Sequence, residues 1–598
     1  MDAARQVLSR TFGFQDFRPG QAEILHSVLS GENVLAVMPT GSGKSLCYQL
    51  PAILREGLTV VVSPLIALMR DQVMQLQALG VAAGSLNSNN GPGENRRVER
   101  AIEDGKLRIV YVAPERFGVP GVIDLLRRGN VRLLAVDEAH CISQWGHDFR
   151  PEYLMLRDVV EALGQVQTIA VTATADAPTR ADVIRKLFAR EPQTFVRSFD
   201  RPNLHLAMVR KARAPKQIAS FVEAHRGETG IVYCNSRKRT EKMAEMLSQL
   251  GHRAIAYHAG LEPELRSAHQ DEFVQSDGVV VCATIAFGMG IDKPDVRYVC
   301  HADMPQTIES YYQEIGRAGR DGLPADTLTL WGEEDITLRR RQIADSDLPR
   351  DRRAVAIRKL DALVALCEAP GCRRQALLRA FGEESKPCGN CDGCASRHRL
   401  YSGKIEAQKV MSAILRTSGR FFARHVAKIL TGELTEEIRH HAHDQLKTFG
   451  AGRDRSEAEW RSIFRQLQAT DLIAQDAEDH DRWIVTESGR KVLRGEEDVQ
   501  LRPLPGREER MEAPKARLGE DLTTKEQQIF AALKALRRDL AREEHKPAYV
   551  IAPDRTLMEL ATHRPRNLEE MAEIHGIGEA KLARYGQVFL EVILGYER

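Results

Sequence analysis

The strongest constraint on this chain is the alternation of short apolar runs with helix-length segments over its first 335 residues. The runs include 34–37, 59–62, 108–112, 133–136, 168–171, 230–234 and 279–282. Each is continuous and rich in β-branched residues, without a polar residue at every second position. Strands of that kind are buried on both faces, which points to parallel sheets covered by helices. The pattern pauses around Phe199-Asp200-Arg201-Pro202-Asn203 and then resumes. Two doubly wound α/β domains fit this better than one very large sheet, and they are expected over 1–205 and 206–335.

Beyond 335 the β-runs thin out. Arg339-Arg340-Arg341 opens a basic helical stretch that leads into a cysteine cluster, together spanning 336–400. The segment 401–495 reads as three helices followed by a hairpin, with strands Leu472–Gln475 and Arg482–Val485 around Glu478-Asp479-His480-Asp481. Pro503, Pro505 and Pro514 mark 496–517 as a flexible linker, and 518–598 as a small helical domain. For 598 residues this partition agrees with a prior of about 150 residues per domain.

Charge limits what the chain can do with nucleic acid. The balance is 85 − 83 = +2, so bulk charge cannot coat a polyanion and any binding must come from local patches. Between Lys404 and Lys428 there are six Lys/Arg against one acid, Glu406. The Ser418-Gly419 pair should break that stretch into two helices. Four of the ten cysteines fall between Cys372 and Cys394 and the rest are scattered, which argues for a reducing compartment rather than a disulfide framework. Asp2 and the lack of an apolar core rule out a signal peptide at the start of this sequence. The longest apolar stretch, Leu58–Met69, is too short to span a bilayer. A cytoplasmic, nucleoid-associated location is expected.

Met38-Pro39-Thr40-Gly41-Ser42-Gly43-Lys44-Ser45 follows the run at 34–37 and precedes a helical pattern. It is a phosphate loop. Backbone N–H groups of Thr40, Gly41, Ser42 and Gly43 can close around phosphates, Lys44 can reach the β/γ oxygens, and Ser45 can ligate Mg²⁺. Met38 stands where the general pattern has glycine. Asp137-Glu138-Ala139-His140 ends the run at 133–136, where an Mg²⁺-bound acid (Asp137) and a water-orienting acid (Glu138) should sit. The spacing makes this a nucleotide hydrolase. Further on, Arg317 and Arg320 stand at i and i+3, so a helix would place both on one face, able to reach a γ-phosphate across a cleft.

This order of motifs resembles superfamily 2 helicases, and more narrowly the RecQ family. Phe17-Arg18-Pro19-Gly20-Gln21 is similar to that family's adenine-recognising motif, implying Arg18 and Gln21 in ATP binding. The stretches 63–72, 111–116, 172–175 and 286–293 resemble its motifs Ia, Ib, III and V. Ser143–Pro151 resembles the aromatic loop that couples single-strand contact to hydrolysis, which implies roles for Trp145, Phe149, Arg150 and, as a relay, His140. Two aromatics and an arginine suit base stacking without sequence readout. The resemblance implies two RecA-like domains, then a zinc-binding helical subdomain, a winged helix and an all-α HRDC (helicase-and-RNase-D C-terminal) domain. It also implies 3′→5′ DNA unwinding in repair and recombination, with ATP, single-stranded and duplex DNA, and a single-strand-binding protein as partners, and no membrane.

Cys372, Cys388, Cys391 and Cys394 have the spacing C-x15-C-x2-C-x2-C. Four thiolates suit structural Zn²⁺; an iron–sulfur cluster is the competitor, although no following Cys-Pro completes a ferredoxin pattern. His480 and Trp483 sit at or beside the expected hairpin tip and are candidates for splitting a terminal base pair. Lys546–Ile551 resembles the HRDC segment that presents a tyrosine, here Tyr549, to single strands. The competing readings are an RNA helicase, and a DNA-structure binder with a dead ATPase.

Overall fold

The computed structural model of the chain describes all residues except 144–148, 286, 288–292, 396–399, 477–481, 504–521, 545 and 597–598. The first series of runs forms β1 (Val34–Val37), β2 (Leu58–Val62), β3 (Ala83–Leu86), β4 (Ile109–Val112), β5 (Val131–Val136), β6 (Gln167–Thr172) and β7 (Gln193–Val196). They lie in the order β3-β4-β2-β5-β6-β1-β7, every neighbouring pair parallel. The second series forms β8 (Leu204–Arg210), β9 (Gly230–Tyr233), β10 (Arg253–Tyr257), β11 (Val279–Ala283), β12 (Tyr298–His301) and β13 (Ala325–Trp331). Their order is β10-β11-β9-β12-β13-β8, again all parallel. Strands β1, β2, β4, β9, β11, β12 and β13 are buried at every position. With both faces covered, polar side chains do not recur at every second position, so the runs read as continuous. β8 starts at Leu204, so the boundary expected at 205/206 falls inside a strand of the second sheet.

After β13 the helices Glu333–Ala344 and Arg350–Glu368 pack together. The short helices Arg373–Ala380 and Asp392–Ala395 then close the cysteine cluster. Asp392 accepts from the Met208 amide at 3.0 Å, and Cys391 bridges Leu206, so this knuckle is fastened to β8. The next unit has helices Lys404–Arg416, Ala423–Thr431 and Glu457–Ala469. A hairpin of Ile473–Gln475 and Trp483–Val485 follows, closed by a helix at Glu487–Arg494. Ser418 and Gly419, both in the left-handed region, separate the first two helices.

The terminal domain packs helices Thr524–Glu543, Ala548–Ile551, Asp554–His563, Leu568–Ala572 and Glu579–Gly595 around Ile529, Leu533, Leu557 and Phe589. The domain is docked across both sheet domains. On the first, the Gly576 amide donates to Gly13 O at 2.7 Å, and the His575 ring lies 4.9 Å from that of Phe14. On the second, the fully buried Arg537 pairs with Asp277 at 3.3 Å while holding Asp554 at 2.8 Å within its own domain. Two glycines make room for this contact. A Cβ at Gly13 would come within 2.7 Å of the Ile577–Gly578 backbone, and one at Gly578 within 2.8 Å of Thr11 O.

Candidate active site

A cavity of about 740 Å³ opens beyond the carboxyl ends of the first sheet, between the two sheet domains and under the terminal domain. Thr40, Gly41, Gly43, Lys44, Ser45, Asp137, Glu138 and His140 line it from the first domain, and Arg317 and Arg320 from the second. Both domains therefore contribute to one site, at the sheet edge where doubly wound folds hold their ligands.

The phosphate loop leaves β1 and turns through Gly41 (φ +80°) and Gly43 (φ +78°) before the helix Leu46–Leu54. Gly43 has a second reason to lack a side chain, because a Cβ there would lie 2.5 Å from Gln21 Nε2. The Gln21 amide donates to Ser42 O and Gly43 O, both at 3.0 Å, and its carbonyl accepts from the Arg18 amide at 2.9 Å. The Arg18 guanidinium donates to Gly41 O. The two residues that the resemblance assigned to ATP binding thus brace the back of the phosphate loop.

At the end of β5 the chain turns sharply, with Glu138 at φ +47°. A non-glycine residue in that region costs roughly 1–2 kcal/mol. The turn is held by Asp137 Oδ1 accepting the Glu138 amide at 2.9 Å and by the Tyr153 hydroxyl donating to Asp137 O at 3.1 Å. His140 Nδ1 is 2.9 Å from Thr172 Oγ1 and 3.3 Å from Glu138 Oε2. The Thr172 hydroxyl donates to Thr174 O at 3.1 Å, which makes Nδ1 the protonated nitrogen of His140. His140 thus stands between the Glu138 carboxylate and the loop 172–175. Arg150 donates to Pro64 O at 2.8 Å, so the end of the aromatic loop is tied to the segment 63–72. Trp145, assigned to that loop, lies outside the described residues, as does His480 of the hairpin; Phe149 is half-buried.

Arg317 and Arg320 do not share a helix face. The helix Ile308–Ile315 stops at Gly316, and 316–321 form a turn with Gly319 at φ +56°. Gly316 is itself still in helical backbone, but the chain then tightens to i→i+3 bonds and turns left-handed at Gly319, which ends the helical phase that the i, i+3 spacing assumed. The turn still carries both arginines to the cavity. What holds it is a residue that motif reading missed. Arg201 donates to Thr40 O of the phosphate loop and to Gly316 O, Ala318 O and Gly319 O of the arginine turn, at 2.6–3.3 Å. Burial lowers its pKa to about 10, with Arg320 and Arg18 adding to the fall. The only sequence signal for it was the pause in the strand pattern at 199–203.

The four cysteine Sγ atoms lie within 4.8 Å of one another. Cys372 is 3.4 Å from Cys388 and 3.9 Å from Cys391, close to the roughly 3.8 Å edge of a tetrahedral zinc–thiolate site. Main-chain amides of Gln375 and Cys388 point at Cys372 Sγ, and those of Arg373 and Cys394 at Cys391 Sγ. Such donors favour thiolates, so the residues fit the metal. Arg373, fully buried, ties Asp392 to the carbonyls of Leu366, Cys367 and Ala369 and fixes the knuckle.

The aromatics expected to meet DNA are placed differently from the expectation. Trp483 is only 4% exposed and packs edge-on against Phe464, 4.9 Å between rings. It sits in the core because its strand position faces the helix Glu457–Ala469, so the ring is not on the hairpin's outer surface. Tyr549 is 6% exposed and has the Lys293 ammonium 5.7 Å from its ring centre, within the docked interface. Of the basic residues at 404–428, Lys409, Arg424 and Lys428 are paired with Asp454, Glu457 and Glu433.

Family models match consecutive parts of the chain: DEAD/DEAH box helicase at 18–183, helicase conserved C-terminal domain at 212–322, RecQ zinc-binding at 333–395, RQC domain at 399–510 and HRDC domain at 526–593. An ATP-dependent DNA helicase RecQ from Pasteurella multocida is 41% identical over 597 residues, covering 100% of this chain and 94% of that protein. Its counterpart from Bacillus subtilis is 36% identical, with 100% and 99% covered. The chain belongs to the RecQ family. The four-cysteine cluster is accordingly the zinc-binding site of a RecQ protein, in a chain of two parallel-sheet domains, a zinc subdomain, an RQC winged helix and a helical HRDC domain. Among the described residues no helix is long and apolar enough to cross a membrane.

Proposed function

We propose that this RecQ-family chain is an ATP-dependent DNA helicase that moves 3′→5′ along one strand and separates the duplex ahead of it. The observation that carries this reading is the single cavity lined by the phosphate loop, the Asp137–Glu138 turn and the Arg317–Arg320 turn. Lys44 would hold the β/γ phosphates, and Ser45 and Asp137 an Mg²⁺ ion that neutralises charge on the transferring phosphoryl group. Glu138 would orient the attacking water, and the two arginines stabilise the transition state from the other domain. His140 would pass the state of this site to the loop 172–175 and the aromatic loop, where Trp145, Phe149 and Arg150 meet single-stranded DNA. The RQC winged helix would hold the duplex through phosphate contacts. Tyr549 could meet a single strand only after the terminal domain leaves the cleft. A single-strand-binding protein as partner, a role in repair and recombination, and a cytoplasmic location follow from the family alone. The RNA-helicase reading loses ground to the zinc, RQC and HRDC matches.

Unwinding of 3′-tailed DNA, 5′-tailed DNA and matched RNA duplexes tests this in one assay. Only the 3′-tailed DNA should be opened, and Lys44→Ala should lower DNA-stimulated ATP hydrolysis by about 10²–10³-fold with duplex binding retained. Comparable unwinding of RNA, or full activity of the Lys44 variant, would overturn it.

A further inference from the structure

We infer that Arg201 is a positioning residue for ATP hydrolysis: it shapes the turn that presents Arg317 and Arg320 and sets that turn in register with the phosphate loop. This rests on the reading of that turn as the cross-cleft partner of the γ-phosphate.

Arg201 lies in the crossing between the two sheet domains, and all five of its N–H donors have acceptors. Nε donates to Asn203 Oδ1 at 3.3 Å. One terminal nitrogen serves Thr40 O at 2.6 Å and Gly316 O at 3.3 Å, the other Ala318 O at 2.9 Å and Gly319 O at 2.8 Å. Three carbonyls of one short turn converge on a single planar cation. Their dipoles would repel one another without it, and a lysine offers three donors from one point rather than a fork. Asn203 backs the same turn, donating to Gly319 O at 2.9 Å and Leu323 O at 2.8 Å.

A second observation concerns the space between the loops. A Cβ on Gly316 would stand 3.1 Å from Thr40 Cβ, and one on Gly41 would stand 3.1 Å from an Arg201 Nη and 3.5 Å from Arg320 Cα. Gly316 leaves room for the Thr40 side chain and Gly41 for the Arg201 guanidinium, which allows the Arg201 contact to form. When the cleft opens, the bonds to 316–319 and Asn203 stay within the second domain and the bond to Thr40 breaks. Arg201 therefore carries one breakable link across the cleft, and the arginines reach the phosphates only in the arrangement that restores it.

Full-length Arg201→Ala and Arg201→Lys, assayed for kcat and KM with saturating single-stranded DNA, test the inference. Arg201→Ala should lower kcat about 10–100-fold, the scale of a small misplacement of catalytic groups, while KM for ATP moves less than about threefold. The lysine variant should recover only part of the loss. Added guanidinium ion should partly restore Arg201→Ala but not Lys44→Ala. Gly316→Ala, which leaves Arg201 in place, should lower kcat in the same direction by holding the loops apart. A kcat within twofold of the parent for Arg201→Ala, or a loss that guanidinium does not ease and that tracks a lower unfolding temperature, would overturn the role. Arg320→Ala separates the two levels. If it leaves kcat intact, the turn itself is misassigned; if it lowers kcat while Arg201→Ala does not, only the positioning role falls.

Discussion

The cleft between the sheet domains and the C-terminal winged-helix and HRDC domains use buried side chains in opposite ways. In the cleft, Asp137 and His140 are buried and Arg201 is half-buried; all three are polar, each engaged by hydrogen bonds that hold a loop in one shape. In the winged helix and terminal domain, the buried groups singled out by motif are rings, Trp483 and Tyr549, which fill apolar interfaces. Phosphate and metal chemistry demands particular donors at particular places, so residue type there reports role. Base stacking tolerates many residues, and an aromatic in such a domain is equally suited to a core.

The largest expected effect lies at the zinc site that joins the two regions. Cys391→Ser should abolish soluble full-length protein or leave it without metal, since structural zinc contributes about 10–16 kcal/mol in small domains. Elemental analysis of the parent should return about one zinc per chain. Iron and sulfide instead would reopen the cluster assignment.

Trp483→Ala comes next. As a core ring it should cost the winged helix about 3–5 kcal/mol, read as a lower unfolding midpoint for that domain, with hydrolysis on single strands preserved. Normal stability with selective loss of fork opening would break the contrast, because the ring would then be acting on DNA.

The smallest effect concerns the docked terminal domain. His575 is held neutral, burial and then Arg555 lowering its pKa to about 4 from the ordinary 6.5. Release would remove part of that burial and the Arg18 charge, so a released His575 takes up a proton more readily and protons favour release. Docking should be at full strength above about pH 6.5 and weaken as the pH falls toward 4. Hydrogen exchange at the amides of 10–14 and 575–578 should speed up between pH 7.5 and 5.5 once corrected for intrinsic rates. Unchanged protection would remove His575 from the docking contact.

Much of the cleft was legible because its chemistry is local in sequence. Lys44 and Ser45 follow a strand, and Asp137 and Glu138 follow another, so order alone brought them to one sheet edge. The arginines at 317 and 320 were wrongly set on a helix, since the helix ends at Ile315 and the chain turns left-handed at Gly319. Arg201 was not found at all. Its partners are main-chain carbonyls at 40 and at 316–319, and a carbonyl has no residue identity to read.

The amino-acid order by itself determined the two parallel sheets, the phosphate loop, the acid pair and the four zinc ligands. In each of these, one residue type at one spacing is the physical requirement. Tertiary structure alone decided that Arg201 joins the phosphate loop to the arginine turn, that Trp483 is core, and that the terminal domain covers the cleft with Tyr549 inside. Those outcomes depend on which surfaces meet across hundreds of residues, and the contacts that settle them are made by backbone groups, glycine gaps and packing, which carry no motif.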